Sequence, residues 1–169
     1  IVRVEVPPAG AKVQIVGDAG HGKSSALFAL QRCMAGARYL YVPRPDLEPP
    51  PPIEDEDAPL LLDEAQRLPR ARLAALLGSP RTVVLGTHDD LCALAPAMST
   101  VRLQACSLKL LQAIVAARLD WAARARGPVP CPTPRLLEAL LLTHGGDVRA
   151  SEAALYLRYQ GLHEVADVD

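Results

Sequence analysis

Apolar and polar positions change period several times along this chain. Residues 1–6 alternate in the manner of a strand, and Pro7-Pro8-Ala9-Gly10 turns the chain into a second run, Lys12-Val13-Gln14-Ile15-Val16. Residues 24–35 then carry apolar side chains at helical spacing, and Gly36 is placed to end that helix. A short strand, Tyr39-Leu40-Tyr41-Val42, stops at Pro43. Residues 44–59 contain four consecutive prolines at 49–52 and four consecutive acids at 54–57. Such a stretch neither forms a helix nor buries a face, so it predicts an exposed linker or loop, with a proline-rich docking motif as the alternative use.

Leu60-Leu61-Leu62-Asp63-Glu64 is a continuous apolar run ending in two acids, the pattern of a parallel strand covered on both faces. Two helical turns over 70–77 are closed by Gly78 and Pro80, and a further buried strand over 82–86 finishes at Thr87-His88. Residues 101–104 predict one more strand. From Ser107 onward the pattern is helical throughout. Ser107 caps a long helix with apolar Leu110, Leu111, Ile114, Val115 and Leu119 that ends near Gly127; Thr133-Pro134 opens a second, and Asp147 caps a third running to about Gln160. Strands alternating with helices imply a parallel α/β sheet with flanking helices over residues 1–105, followed by a small all-α part over 106–169.

Between the strand at 12–16 and the helix at 24 lies Gly17-Asp18-Ala19-Gly20-His21-Gly22-Lys23-Ser24, which fits G-x-x-x-x-G-K-[ST]. The glycines let main-chain N–H groups turn toward one anion, and the next helix adds its positive dipole end. A triphosphate suits that cradle. Lys23 is expected to reach the β- and γ-phosphates and Ser24 to hold Mg²⁺, with Ser25 completing the phosphate-binding stretch from Gly17. The alternative is a glycine-rich turn capping an ordinary helix; the strand-loop-helix context favours nucleotide.

Carboxylates at the carboxyl end of a buried strand belong beside the mouth of such a loop, because ligands of parallel sheets bind there. Asp63 is expected to order the metal through its water shell, and Glu64 to orient or deprotonate the attacking water. The alternative for both is an acid favouring the dipole of a following helix. Thr87 and His88 end the next strand, from where either could sense a γ-phosphate by hydrogen bonding. Arg149 falls in the first turn of the last helix, where a cation opposes the dipole; Glu152 three residues on is its ordinary partner and a γ-phosphate a better one.

Composition narrows the partners. Half the residues are apolar, only 4% are aromatic, and the formal net charge is −1. Stacking platforms for single-stranded bases and bulk attraction to nucleic acid or membrane are therefore not indicated, although Arg118, Arg124, Arg126 and Arg135 fall in one stretch. Cys33, Cys92, Cys106 and Cys131 form no C-x-x-C pair, and no apolar run approaches a membrane span. These features lead to the expectation of a cytoplasmic protein. Ile1 at the start suggests a piece of a longer chain, and arginine outnumbering lysine 15 to 3 suggests a GC-rich bacterial source.

Taken together these residues resemble a small AAA+ ATPase of the ASCE type. Residues 17–24 match its Walker A motif, Leu60-Leu61-Leu62-Asp63-Glu64 resembles Walker B, and Thr87 or His88 stands where sensor 1 would. Gly146-Asp147-Val148-Arg149 resembles sensor 2. Leu61-Leu62-Asp63-Glu64-Ala65-Gln66-Arg67-Leu68 is similar to transposition-regulator and secretion-linked ATPases, and the tail resembles the lid of origin-recognition ATPases. The likeness covers about residues 11–160 and implies an Mg-ATP-dependent switch that signals through a helical lid to a protein partner, or to further domains of a longer chain. Two departures bear on turnover. The proline and acid segment stands where the family places a helix, and no arginine occurs between Leu91 and Thr100, where a finger into a neighbour's site would be expected. Arg102, nearby, belongs to the following strand. A slow switch, a site completed by another protein or domain, or an ATP-binding module that scarcely turns over is the implied consequence.

Two other nucleotide-binding families compare less well. Gly86-Thr87-His88-Asp89-Asp90 is reminiscent of the guanine-selecting motif of Ras-like GTPases, but Thr87 and His88 replace its Asn and Lys and the usual Asp-x-x-Gly is absent. A switch histidine at His88 would suit ABC ATPases, yet no Leu-Ser-Gly-Gly-like signature precedes Asp63.

Overall fold

Five parallel strands form the centre of the amino-terminal unit: β1 (Lys12–Val16), β2 (Arg38–Tyr41), β3 (Leu60–Asp63), β4 (Val83–Thr87) and β5 (Ser99–Arg102). The computed structural model describes residues 5–53, 57–123 and 129–161, which fall into one unit within 2–103 and another within 104–169. Strand order is β2-β3-β4-β1-β5 with every pairing parallel. Asp63 stands opposite Gly86, and Val16 opposite Thr87, so the carboxyl ends of β1, β3 and β4 finish level.

Helix α1 (Lys23–Cys33) covers one face of the sheet, where Leu27, Leu30 and Met34 pack with Ile15, Leu61 and Val84. Helix α2 (Arg70–Gly78) and short 3-10 turns at 65–67 and 92–94 cover the other, where Leu68, Leu73, Leu77 and Met98 meet Leu60, Leu62, Val83 and Leu85. Successive strand residues point to opposite faces. The unbroken apolar runs of β3 and β4 follow directly, since both faces are covered.

Several local expectations shift. The strand expected over 1–6 falls mostly outside the described residues, and Glu5 and Val6 are irregular. The last strand lies at Ser99–Arg102, two residues earlier than its apolar content suggested, because its register is set by β1 and its side chains are largely exposed. The segment 44–53 is mostly exposed, but it is not a free linker: Ile53 packs on the α2-side core, Arg72 donates to the Pro51 carbonyl at 3.0 Å, and Arg81 donates to the Ala58 carbonyl. Acids 54–56 lie outside the described residues.

The second unit contains α3 (Leu108–Ala122), α4 (Pro134–Thr143) and α5 (Val148–Gln160). Ser107, Thr133 and Asp147 cap them, each side chain accepting from the N–H three residues on. Helix α3 stops before Gly127, which is outside the described residues, as are Arg124 and Arg126 of the basic stretch. Leu111, Val115, Leu136, Leu137, Leu140 and Leu155 form this unit's core. Among the described residues no helix is long and apolar enough to cross a membrane.

Candidate functional site

The loop between β1 and α1 is shaped by its glycines. Gly22 precedes the helix at φ +91°, a conformation that L side chains rarely adopt. The first intrahelical bond of α1 is Ala26 N–H to Gly22 O at 2.9 Å, so the N–H groups ahead of it point out of the helix end. No side chain caps that end, whereas side chains cap α3, α4 and α5. The arrangement presents donors and a dipole end suited to an anion. Lys23, only 6% exposed, donates from Nζ to the carbonyls of Gly17 (2.7 Å) and Asp18 (2.9 Å), placing its ammonium inside the loop it follows. Ala19, Gly20 and His21 complete the bend, and Gly17 N–H bonds to Thr87 O at 3.3 Å, joining the loop to β4.

Asp63, at the end of β3, is 2% exposed. Its Oδ2 accepts from Ser24 Oγ at 2.5 Å and from the Tyr39 hydroxyl at 2.8 Å, while Oδ1 accepts from Glu64 N–H at 3.1 Å. Ser24 thereby spends its proton on Asp63 and keeps its lone pairs for another partner. Gly86 makes room for the carboxylate: a Cβ there would come within 2.9 Å of Asp63 Oδ1 and of Leu27 Cδ1. Tyr39 stacks on Phe28 of α1 with ring centroids 4.4 Å apart, and burial together with the Asp63 bond holds its hydroxyl well above the usual tyrosine range. Among the described residues no three His, Cys, Asp or Glu side chains converge. The Ser24 hydroxyl and the Asp63 carboxylate make an oxygen donor pair at the start of α1 and the end of β3.

Glu64 leaves the strand in the left-handed region at φ 60°, a conformation that costs a non-glycine residue about 1–2 kcal/mol. Its Oε2 is held by Arg67 at 2.8 Å and by Gln66 at 2.9 Å, and its Oε1 lies 3.2 Å from His88 Nε2. Arg67 is itself anchored on the Tyr41 hydroxyl (2.9 Å) and the Val42 carbonyl (3.1 Å), next to β2. His88 also meets Lys23 Nζ, 3.3 Å from Nε2 and 3.5 Å from Nδ1. His88 Nε2 therefore contacts both Glu64 Oε1 and the Lys23 ammonium, and the ring tautomer sets which contact is a hydrogen bond. His88 thus touches both the ammonium and the carboxylate.

Thr87 is placed differently from His88. It is fully buried, and its hydroxyl accepts from Asp89 N–H (3.1 Å) and donates to Asp89 O (3.0 Å), so it shapes the turn that presents His88. That turn has an anchor that periodicity did not reveal. Gln14, buried in mid-β1, accepts from Leu91 N–H at 2.9 Å, and its Nε2 lies 2.8 Å from both Asp90 Oδ1 and Thr100 Oγ1. The signal was a glutamine in a strand whose neighbours are apolar. Asp90 also accepts from Cys92 N–H and pairs with Arg102 at 2.5 Å, and the backbone bond, Gln14, Cys92 and Arg102 together hold its carboxyl well below the usual range. Arg102 is so engaged within its own chain.

Arg149 lies in the first turn of α5 in the helical unit and is exposed. Glu152, its expected ordinary partner, is paired with Arg118 of α3 instead, which also removes Arg118 from the basic stretch. Of the residues singled out from sequence, Gly17, Lys23, Ser24, Asp63, Glu64 and His88 meet at the carboxyl ends of β1, β3 and β4, joined by Tyr39, Arg67, Gln66 and Gly86. No protein-family model matches the chain, and no curated protein matches it.

Proposed function

We propose that this chain binds Mg-ATP at residues 17–25 and hydrolyses it slowly, as an AAA+-like P-loop switch whose state is passed through the helical unit to a protein partner. The observation that carries the reading is the 2.5 Å bond from Ser24 Oγ to Asp63 Oδ2, which joins the first turn of α1 to the end of β3 beside Lys23. A loop hydroxyl and a strand-end carboxylate so joined are what a hydrated divalent cation on a triphosphate requires.

Bound Mg-ATP would supply the phosphoanhydride bond, with the cation neutralising charge on its oxygens. The residues of this chain do the rest. Lys23 exchanges its contacts with Gly17 and Asp18 carbonyls for phosphate oxygens, and the N–H groups of the loop and first helical turn hold the remaining charge. Asp63 orients the Ser24 hydroxyl and would accept from water held by the cation. Glu64 takes a proton from the attacking water, with His88 bonded to its other side. Arg102 is bonded to Asp90, and no arginine occurs between Leu91 and Thr100, so transition-state charge is left without the in-trans cation that accelerates phosphoryl transfer. Slow turnover follows.

One observation favours a second reading, an ATP-binding module with little turnover. Glu64 is held at once by Arg67, Gln66 and His88, and a carboxylate so occupied is a poor base. Calorimetric titration with ATP and magnesium, paired with a phosphate-release assay, tests both. Heat of binding in the wild type and its loss in Lys23→Ala support nucleotide binding; no heat in the wild type overturns it. Glu64→Gln is expected to lower phosphate release by about 100-fold or more if Glu64 acts as base. An unchanged rate selects the binding module.

A further inference from the structure

Tyr39 has no part in the phosphate loop, in the strand-end acids or in the polar tips of β3 and β4. It sits in mid-β2, at the edge of the sheet, opposite Leu61 in register. With strand period two, Tyr39, Leu61 and Asp63 share the face that packs on α1. The ring is fixed from one side by Phe28, at 4.4 Å between centroids and 28° between planes. Its hydroxyl reaches Asp63 Oδ2 at 2.8 Å, the same oxygen that accepts from Ser24. Asp63 is therefore held at three points: two hydroxyls on one oxygen and the Glu64 N–H on the other. Three hydrogen bonds restrain the carboxylate's rotation with Oδ2 turned to Ser24.

We propose that Tyr39 is a positioning residue for a divalent cation, fixing the Asp63 carboxylate so that it serves the cation through water and through Ser24. This deepens the Mg-ATP reading and rests on it. Outer partners of this kind hold a ligand in the orientation the ion needs. A magnesium ion demands near-octahedral geometry and surrenders its water reluctantly, so a fixed acceptor for bound water suits it better than a carboxylate free to swing. Without the Tyr39 hydroxyl, Oδ2 keeps only Ser24 as a side-chain donor, and the carboxylate gains freedom to turn about its Cβ–Cγ bond.

The test is Tyr39→Phe, which keeps the ring against Phe28 and removes only the hydroxyl. ATP affinity is measured by calorimetry across a magnesium series and again in excess chelator. The expected result is an increase of about tenfold in the magnesium concentration needed for half-maximal tightening, with ATP affinity in chelator equal to wild type. A merely structural role would alter the chelator value or the thermal midpoint and leave the magnesium dependence alone, and that outcome overturns the proposal. Equal magnesium dependence in both proteins overturns it too. Phe28→Leu, which removes the ring stack and keeps the hydroxyl, is expected to shift the magnesium dependence in the same direction by less. A wild-type protein that binds ATP equally with and without magnesium leaves the nucleotide site standing and removes the Tyr39 role; one that binds no ATP removes both.

Discussion

The side-chain amide of Gln14, in the middle of β1, lies 2.8 Å from the carboxylate of Asp90, 76 residues further along the chain. The same side chain accepts from Leu91 N–H, so one buried glutamine anchors the turn after β4 by both ends of its amide. That turn begins at His88, the residue in contact with both Lys23 and Glu64. A core position in the sheet therefore controls the geometry of the rim.

Gln14→Leu keeps the volume and removes both polar ends, leaving Leu91 N–H without its acceptor. A loss of about 2 kcal/mol in urea unfolding is expected, the cost of stranding a buried donor. Hydrogen exchange at Leu91 should accelerate well beyond that of the β3 and β4 amides. Equal acceleration throughout the sheet would show that Gln14 supports the core as a whole and not the turn.

Asp90 makes the stability of the turn depend on acid. Its folded-state pKa is depressed, by the Cys92 N–H first and then by Gln14, the Cys92 thiol and Arg102. A depressed carboxyl contributes stability that is present above its unfolded value, about 3.9, and is lost as pH falls through its folded one. Asp90→Asn should be less stable than wild type at pH 6 to 7. The difference should shrink once pH drops below the unfolded value, which unfolding curves from pH 7 to 2 will show.

Gly86→Ala places a methyl group 2.9 Å from both Asp63 Oδ1 and Leu27 Cδ1. Both are held, Asp63 by three hydrogen bonds and Leu27 by full burial, so the expected cost is about 1–3 kcal/mol of stability from overpacking. The displaced carboxylate should also weaken magnesium-dependent ATP binding more than binding in chelator. Thermal unfolding and the two titrations separate the effects.

Arg67 ties Glu64 to the Tyr41 hydroxyl and the Val42 carbonyl. Arg67→Met removes the ion pair while keeping an unbranched side chain over the Tyr41 ring. If the ion pair restrains Glu64 as a base, phosphate release should rise several-fold, roughly the effect of 1 kcal/mol on a barrier. A fall would show that Arg67 orients Glu64 for its work.

What the sequence determined by itself is local. The strand-loop-helix at 12–33, the apolar runs of β3 and β4, and the caps Ser107, Thr133 and Asp147 depend on neighbours within a few residues, and their side-chain periods and hydrogen-bonding reach can be read along the chain. What only the tertiary structure decided is which strands lie side by side. Order β2-β3-β4-β1-β5 puts Tyr39 beside Asp63, Gly86 behind it and Gln14 opposite Thr100, and no local pattern encodes those pairings. The same cause explains the exposed strand found two residues early: where only Val101 packs on the core, apolar content carries little information about register, and hydrogen bonding to β1 sets it. Thr87 and His88 adjoin in sequence yet part in role, one hydroxyl closed into its turn and one ring on the rim, because the buried anchor at Gln14 sets the direction in which the chain leaves the sheet.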